Sequence, residues 1–262
     1  MATPLHEVYA LKYAHHPRRA SENFLDGRPR DAHDGPMPLD YFIWLIRGAS
    51  GDIVVDTGFS AAVAARRGRL HLRCPASALA GLGVDARKVR DVVITHLHYD
   101  HVGNFDLFPA ATFHLQDLEM QFATSRHMTE QRHAMAFDAE DVVGMVRNVY
   151  AGRVRFHAGD AEIFPGVSVH LIGGHTPGLQ VVRVRTRRGW VVLASDATHY
   201  YANLEQERPY PIVWSLEDMR AGYVRVRELA DSPDHIIPGH DPLVLERYAA
   251  CEGLAGVAAR LD

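Results

Sequence analysis

An α/β fold, with sheets covered by helices, is what this 262-residue chain predicts. Three observations carry that expectation. Short apolar runs recur along the chain, each bounded by turn residues or charges, as buried strands are. Stretches with apolar residues at helical spacing lie between them. Hydrophobic residues make up 47% of the chain with no shift of composition along it, which suits one large core better than two small ones. A single domain over residues 1–262 is therefore expected.

Taken in order, residues 5–14 and 40–55 read as strands. Between them lies a turn-rich stretch from His15 to Pro38, punctuated by Pro17, Gly27, Pro29, Gly35, Pro36 and Pro38. Such length without periodicity indicates a functional surface loop. Its Phe24 and Leu25 sit among polar residues, and we expect them to help cover a substrate pocket. Further strands are expected at Ile53–Val55, Val92–Ile94, Val167–Ile172, Val181–Val182, Val191–Leu193 and Ile236–Ile237. Ser215-Leu216-Glu217-Asp218 resembles a capping box, and Met219, Tyr223 and Val226 follow at helical spacing. Asp138 to Tyr150 carries Val142, Met145, Val146 and Val149 on one broad face, a stripe that reads as core packing. Residues 116–160 are more helical than the rest and are expected to form an inserted cap.

Composition excludes several classes. A net charge of −4, without a Lys/Arg cluster, argues against nucleic acid as a partner. Two cysteines far apart, Cys74 and Cys251, form no disulfide framework and fit a reducing compartment. No apolar run approaches the ~18 residues of a membrane span. The N-terminal residues lack the basic-then-apolar pattern of a secretory signal. A soluble, cytoplasmic protein without a membrane partner is expected.

The chemistry concentrates in Thr95-His96-Leu97-His98-Tyr99-Asp100-His101, directly after Val92-Val93-Ile94. Three imidazoles and a carboxylate within six positions are the N and O donors that borderline divalent metals take. His96 and His98 alternate by two, as neighbours on one face of an extended segment do. The other apolar runs end alike: Val55 in Asp56, the run to Ile172 in Gly173-Gly174-His175, Leu193 in Ala194-Ser195-Asp196, and Ile237 in Pro238-Gly239-His240. Five strands thus deliver His or Asp at their C-terminal ends, a rigid way to converge polar groups on one crevice.

On these residues the chain resembles the metallo-β-lactamase superfamily of hydrolases, over about residues 40 to 245. The matching pieces are Asp56 in Val55-Asp56-Thr57-Gly58, the histidine motif, His175, Asp196 and His240, in the family's order. The resemblance implies a four-layer αββα sandwich and a dinuclear centre. By implication, His96, His98 and His175 hold one metal, Asp100, His101 and His240 the other, and Asp196 bridges them. Asp56 becomes a carboxylate that orients a ligand histidine. Two such ions share a hydroxide that attacks a carbonyl at neutral pH. Zinc suits the donors best, with iron, manganese and cobalt as alternatives. Asp100 is also expected to carry a proton to the leaving group. No Gly-x-Ser-x-Gly nucleophile motif is present.

Within the superfamily the chain looks most like the N-acyl homoserine lactonase group, which implies hydrolysis of a small-molecule lactone or ester. Those lactonases place a tyrosine three positions after the bridging Asp. Here that position is His199, followed by Tyr200 and Tyr201, so one of these three is expected at the substrate. The alternatives are another thioester or ester hydrolase, a mononuclear-iron sulfur dioxygenase, and a metal-binding sensor without activity.

Overall fold

The computed structural model describes residues 3–28, 34–49 and 51–262; Pro29 of the turn-rich loop lies outside them. The chain begins with β1 (Glu7–His16), then the hairpin of β2 (Leu39–Gly48) and β3 (Gly51–Val55). Helix α1 (Ala61–Arg67), β4 (Leu70–His71) and α2 (Pro75–Gly81) lead to β5 (Asp91–Val93) and the short α3 (Tyr99–Val102). β6 (Thr112–Gln116), α4 (Asp117–Ala123), α5 (Gln131–Ala134), α6 (Ala139–Tyr150) and β7 (Val154–His157) follow. The second half runs β8 (Ala161–Phe164), β9 (Val167–Leu171), β10 (Gln180–Thr186), β11 (Gly189–Ser195), α7 (Tyr201–Glu205), α8 (Leu216–Leu229), β12 (Ile236–Pro238), α9 (Leu243–Arg247), β13 (Ala249–Ala250) and β14 (Ala258–Arg260).

The stretch 40–55 is two strands rather than one. Gly48 pairs with Gly51, whose φ of 118° is a conformation that only glycine adopts easily, so the chain reverses there. The helical stretch expected at 116–160 is narrower: Gln116 closes β6 and β7 starts at Val154. α4, α5 and α6 are the crossover between these two parallel strands, a connection that cannot be made by a tight turn.

Two sheets result. One has the order β13-β14-β1-β2-β3-β5-β6-β7, with β4 paired to β1; the other has β12-β11-β10-β9-β8. Side-chain alternation explains why they stack. Along β2, Phe42, Trp44 and Ile46 enter one apolar cluster with Val182, Val191 and Leu193 of the second sheet. Tyr41, Ile43 and Leu45, on the opposite face, meet Val63 and Ala64 of α1, Leu79 of α2 and Met145 of α6. On the far side of the second sheet, Val181, Val192 and Ile236 pack on Met219, Tyr223 and Val226 of α8. A strand's period of two gives each sheet two apolar faces, and each face needs a cover. The architecture is the expected αββα sandwich. α8 starts where its capping pattern places it, with Asp218 N donating to Ser215 Oγ at 3.2 Å.

The parallel pairs β3–β5 and β11–β12 direct their C-terminal ends to a common edge of the sandwich. Gln180 N donates to Thr95 O at 3.0 Å and Asp40 N to His240 O at 2.9 Å, so the two sheets are hydrogen-bonded together at that edge. Among the described residues no helix is long and apolar enough to cross a membrane.

One buried carboxyl outside this edge makes stability pH-dependent. Asp141, in the first turn of α6, is pushed up to about 7 by burial, with Asp138 and Glu140 adding to the shift and Arg66 and Arg67 opposing it. Its folded pKa lies above the unfolded one, so the folded state keeps the proton longer and stability falls as pH rises from about 4 through about 7. Asp141→Asn removes the buried charge. Its Tm should exceed the parent's at pH 8, with a smaller gap at pH 5; equal gaps at both pH values would contradict the burial of a charge there.

Candidate metal centre

Five strand ends build the site, and two of them do so from unusual backbone. Asp56, just after β3, and Ser195, the last residue of β11, have φ of 62° and 45°. Non-glycine residues rarely adopt this left-handed region, and the cost is on the order of 1 kcal/mol each. Hydrogen bonds on both sides fix the Asp56 kink: Asp56 N donates to Val93 O at 2.8 Å, and Thr57 N to His101 O at 2.7 Å. At the Ser195 kink, the side chain is tied in, with Ser195 Oγ 2.9 Å from Thr95 Oγ1. Gly174 has φ +84°, and a Cβ there would sit 2.6 Å from the Met219 backbone. Glycine therefore lets the loop lie against α8 and present His175 inward.

The converging side chains form two groups. In the first, His98 Nδ1 is 3.0 Å from both His96 Nε2 and His175 Nε2. Asp196 Oδ2 is 3.1 Å from His175 Nε2 and 3.6 Å from His96 Nε2. In the second, His101 Nε2 and His240 Nε2 lie 3.7 and 3.8 Å from Asp100 Oδ2. The same two nitrogens lie 3.4 and 2.9 Å from Asp196 Oδ1. The two oxygens of Asp196 thus face different groups.

The donor set fits divalent metals. Ligand atoms around a tetrahedral ion with bonds of 2.0–2.1 Å stand roughly 3.3 Å apart, close to these separations. Three imidazole nitrogens at mutual contact cannot all hydrogen-bond to one another, because each carries one proton or one lone pair. His101 Nε2 and Asp196 Oδ1 are fully buried with no hydrogen-bond partner of acceptable geometry. Divalent cations held by these atoms would resolve both conflicts.

The outward nitrogens are held, which fixes each ring. His101 Nδ1 lies 2.7 Å from Asp56 Oδ2, while Asp56 also accepts Thr95 N at 2.8 Å and Thr95 Oγ1 at 2.9 Å. His175 Nδ1 donates to Ile212 O at 2.8 Å, and His240 Nδ1 to Asp40 O at 2.8 Å. Burial holds His96 and His98 well below the usual imidazole range, so their lone pairs are free for a metal. Burial pushes the Asp196 carboxyl up, but the imidazoles of His199, His240, His101 and His175 outweigh it and keep the group ionised.

His199 belongs to this cluster: its Nε2 is 3.1 Å from Asp196 Oδ2 and its ring stacks on Tyr210, centroids 3.6 Å apart. Tyr200 and Tyr201 do not. Although next in sequence, Tyr200 turns away and donates to Pro38 O at 3.2 Å, fastening the early loop. Tyr201 packs between the sheets, beneath the Arg247 guanidinium at 3.8 Å. Phe24 and Leu25 are also displaced from the expected role. Phe24 is buried under Arg208 and Leu25 is 48% exposed, and neither lines a cavity at the cluster. Among the described residues of the early loop, Arg18 reaches the site.

Two cavities adjoin over the cluster. One, of about 130 Å³, is lined by Tyr41, Tyr99, Tyr210 and His199, with Arg18, Arg67 and Arg69 among its other walls. The other, of about 520 Å³, has His98 and His175 at its base and Phe122, Phe137, Trp214 and Val213 on its walls. Met135, Ile212 and His98 border both. Sequence reading missed Glu119, a fully buried carboxylate that accepts Leu97 N at 2.9 Å and Thr176 Oγ1 at 2.6 Å. It ties the histidine loop to the His175 loop. Nothing local marks it, since it lies in α4 among ordinary helix formers.

Comparison with known proteins agrees with this fold. The family profile described as the metallo-beta-lactamase superfamily matches residues 37–243. A probable metallo-hydrolase of Mycobacterium tuberculosis is 26% identical over 231 residues, covering 78% of this chain and 72% of that protein. An N-acyl homoserine lactonase of Bacillus thuringiensis is 24% identical over 231 residues, 82% of this chain and 85% of the relative. A solved N-acyl homoserine lactone hydrolase, holding the product N-hexanoyl-L-homoserine at its catalytic metal centre, superposes with a TM-score of 0.77. It is 21% identical, over 95% of this chain and 98% of that one.

Proposed function

We propose, from the premise that this chain belongs to the metallo-beta-lactamase superfamily, that it is a hydrolase which uses two divalent metal ions, zinc by preference, to open a lactone ring. The reading rests on Asp196, whose two oxygens face two separate histidine groups. His96, His98 and His175 would hold one ion, Asp100, His101 and His240 the other, and Asp196 both. When bound, such ions activate water near neutral pH and polarise a carbonyl.

The chain's own groups do the rest. Asp56 holds the His101 ring in place through Nδ1. Asp100 lines the smaller cavity, where its carboxylate can carry a proton to the departing ring oxygen. His199, kept neutral by burial and braced by Tyr210, stands at the cavity wall; its single N–H, on Nε2 beside Asp196, would turn to the carbonyl oxygen where Asp196 holds metal. The larger cavity, walled by Phe122, Phe137 and Trp214, suits an apolar chain on the substrate. The N-acyl homoserine lactonases among the relatives support a lactone over other esters.

After metal analysis, turnover should be measured on lactones of varied chain length, S-lactoylglutathione, a cephalosporin and a phosphodiester. Two equivalents of metal and opening of lactones well ahead of the rest are expected. Preferential cleavage of the thioester would move the protein to thioester hydrolysis. A single bound iron would overturn the dinuclear reading, and no turnover by the fully metallated protein would favour a sensor.

A further inference from the structure

The smaller cavity holds three arginines that the metal chemistry does not use: Arg18 from the early loop, and Arg67 and Arg69 from the end of α1 and the residue before β4. All three are half-buried, and their acceptors are neutral. Arg18 Nε donates to Asn23 Oδ1 at 2.7 Å, and Arg69 Nε to Tyr99 Oη at 3.1 Å. Arg67 donates to the carbonyls of Met135 and Phe137 at 2.9 and 2.8 Å, with its guanidinium 3.9 Å above the Tyr99 ring. None of them forms an ion pair among the described residues, whereas their sequence neighbours Arg19 and Arg66 pair with Asp34 and Asp138. The cavity's own carboxylates, Asp100 and Asp196, face the histidines.

Three guanidiniums fixed in one half-buried cavity, with no ion-pair partner among the described residues, favour an anionic ligand, because a cation removed from water needs a partner. A carboxylate matches the fork of a guanidinium and the cavity of about 130 Å³. We propose that this cavity receives a carboxylate carried by the substrate, so that the preferred lactones or esters are acidic ones. The proposal rests on the hydrolase reading and narrows it. The substrate then has a charged end among the arginines, an apolar end against Trp214 and Phe122, and the scissile carbonyl between them.

Calorimetric titration of the metal-loaded protein with tetrahydrofuran-2-carboxylate, which has no ring carbonyl to attack, separates binding from turnover. It should bind at least about tenfold more tightly than the neutral tetrahydrofurfuryl alcohol, as charge-assisted bidentate pairs do. Arg18→Gln and Arg69→Gln should each remove most of that preference. Arg67, which also holds the Met135–Phe137 backbone, is left intact. In turnover, Arg69→Gln should raise KM for γ-carboxy-γ-butyrolactone about tenfold more than for γ-butyrolactone. Equal binding of acid and alcohol, or a preference that survives both substitutions, would overturn the proposal. Tighter binding of tetrahydrofurfuryl phosphate would overturn the choice of carboxylate. If no lactone is opened yet the acid still binds in an arginine-dependent way, the lactonase reading fails and the carboxylate site stands. If both lactones open equally well and the ethers are not distinguished, the site fails and the lactonase reading stands.

Discussion

Asp196→Asn should lower kcat/KM on the order of 10³-fold or more, about 4 kcal/mol of transition-state stabilisation, and reduce bound metal from two equivalents to one or fewer. The substitution keeps the shape of the side chain and changes what each of its ends offers. The ionised carboxylate now sets Oδ2 3.1 Å from His175 Nε2 and Oδ1 2.9 Å from His240 Nε2, an anionic acceptor toward each group. Asparagine keeps one neutral oxygen and turns an NH2 toward the other group, where it can only repel a cation. Metal analysis and turnover on the same preparation make the test. Two equivalents with normal turnover would remove Asp196 as the shared ligand. Loss of one equivalent alone would show that the amide oxygen still serves one group while the amide nitrogen disables the other.

Glu119→Ala should destabilise the fold by about 3–5 kcal/mol, as removal of one partner from a buried charged network does. Glu119 is fully buried and burial pushes its carboxyl up, a shift that donors from Leu97 N, Thr176 Oγ1 and Gly178 N only partly oppose. Without it those three donors are left unpaired in the interior, each costing roughly 1–3 kcal/mol. Gly178 marks how close the contact is, because a Cβ there would lie 2.1 Å from Glu119 N. The network joins the loop of His96 and His98 to the loop of His175. A fall in Tm of roughly 10 °C, for a chain of this size, should therefore come with weaker metal retention. An unchanged Tm would show that water fills the gap and satisfies the donors. A lowered Tm with full metal affinity would show that the two loops are held together by other contacts.

Much of the fold was legible because its information is local. Alternation along β2 and the apolar runs of β3, β5, β9 and β11 state which residues are buried and where each strand stops. A strand's end fixes where the next side chain can go, so Asp56, the histidine motif, His175, Asp196 and His240 were readable as one set of strand ends, and the structure brings them together. The break at Gly48–Gly51 and the true extent of the helical crossover were less legible, since both depend on which strand the chain rejoins.

The sequence by itself determined the layered fold and which residues gather at its edge. Only the tertiary structure decided what surrounds that chemistry. His199 and Tyr200 are adjacent, yet one faces Asp196 and the other reaches Pro38. Arg18 is far in sequence from Arg67 and Arg69, and they meet only because α1 and the early loop pack over the same cavity. Strand periodicity is written in neighbouring residues. The direction of a loop side chain, by contrast, is set by contacts with residues far away in the chain, and no local pattern records them.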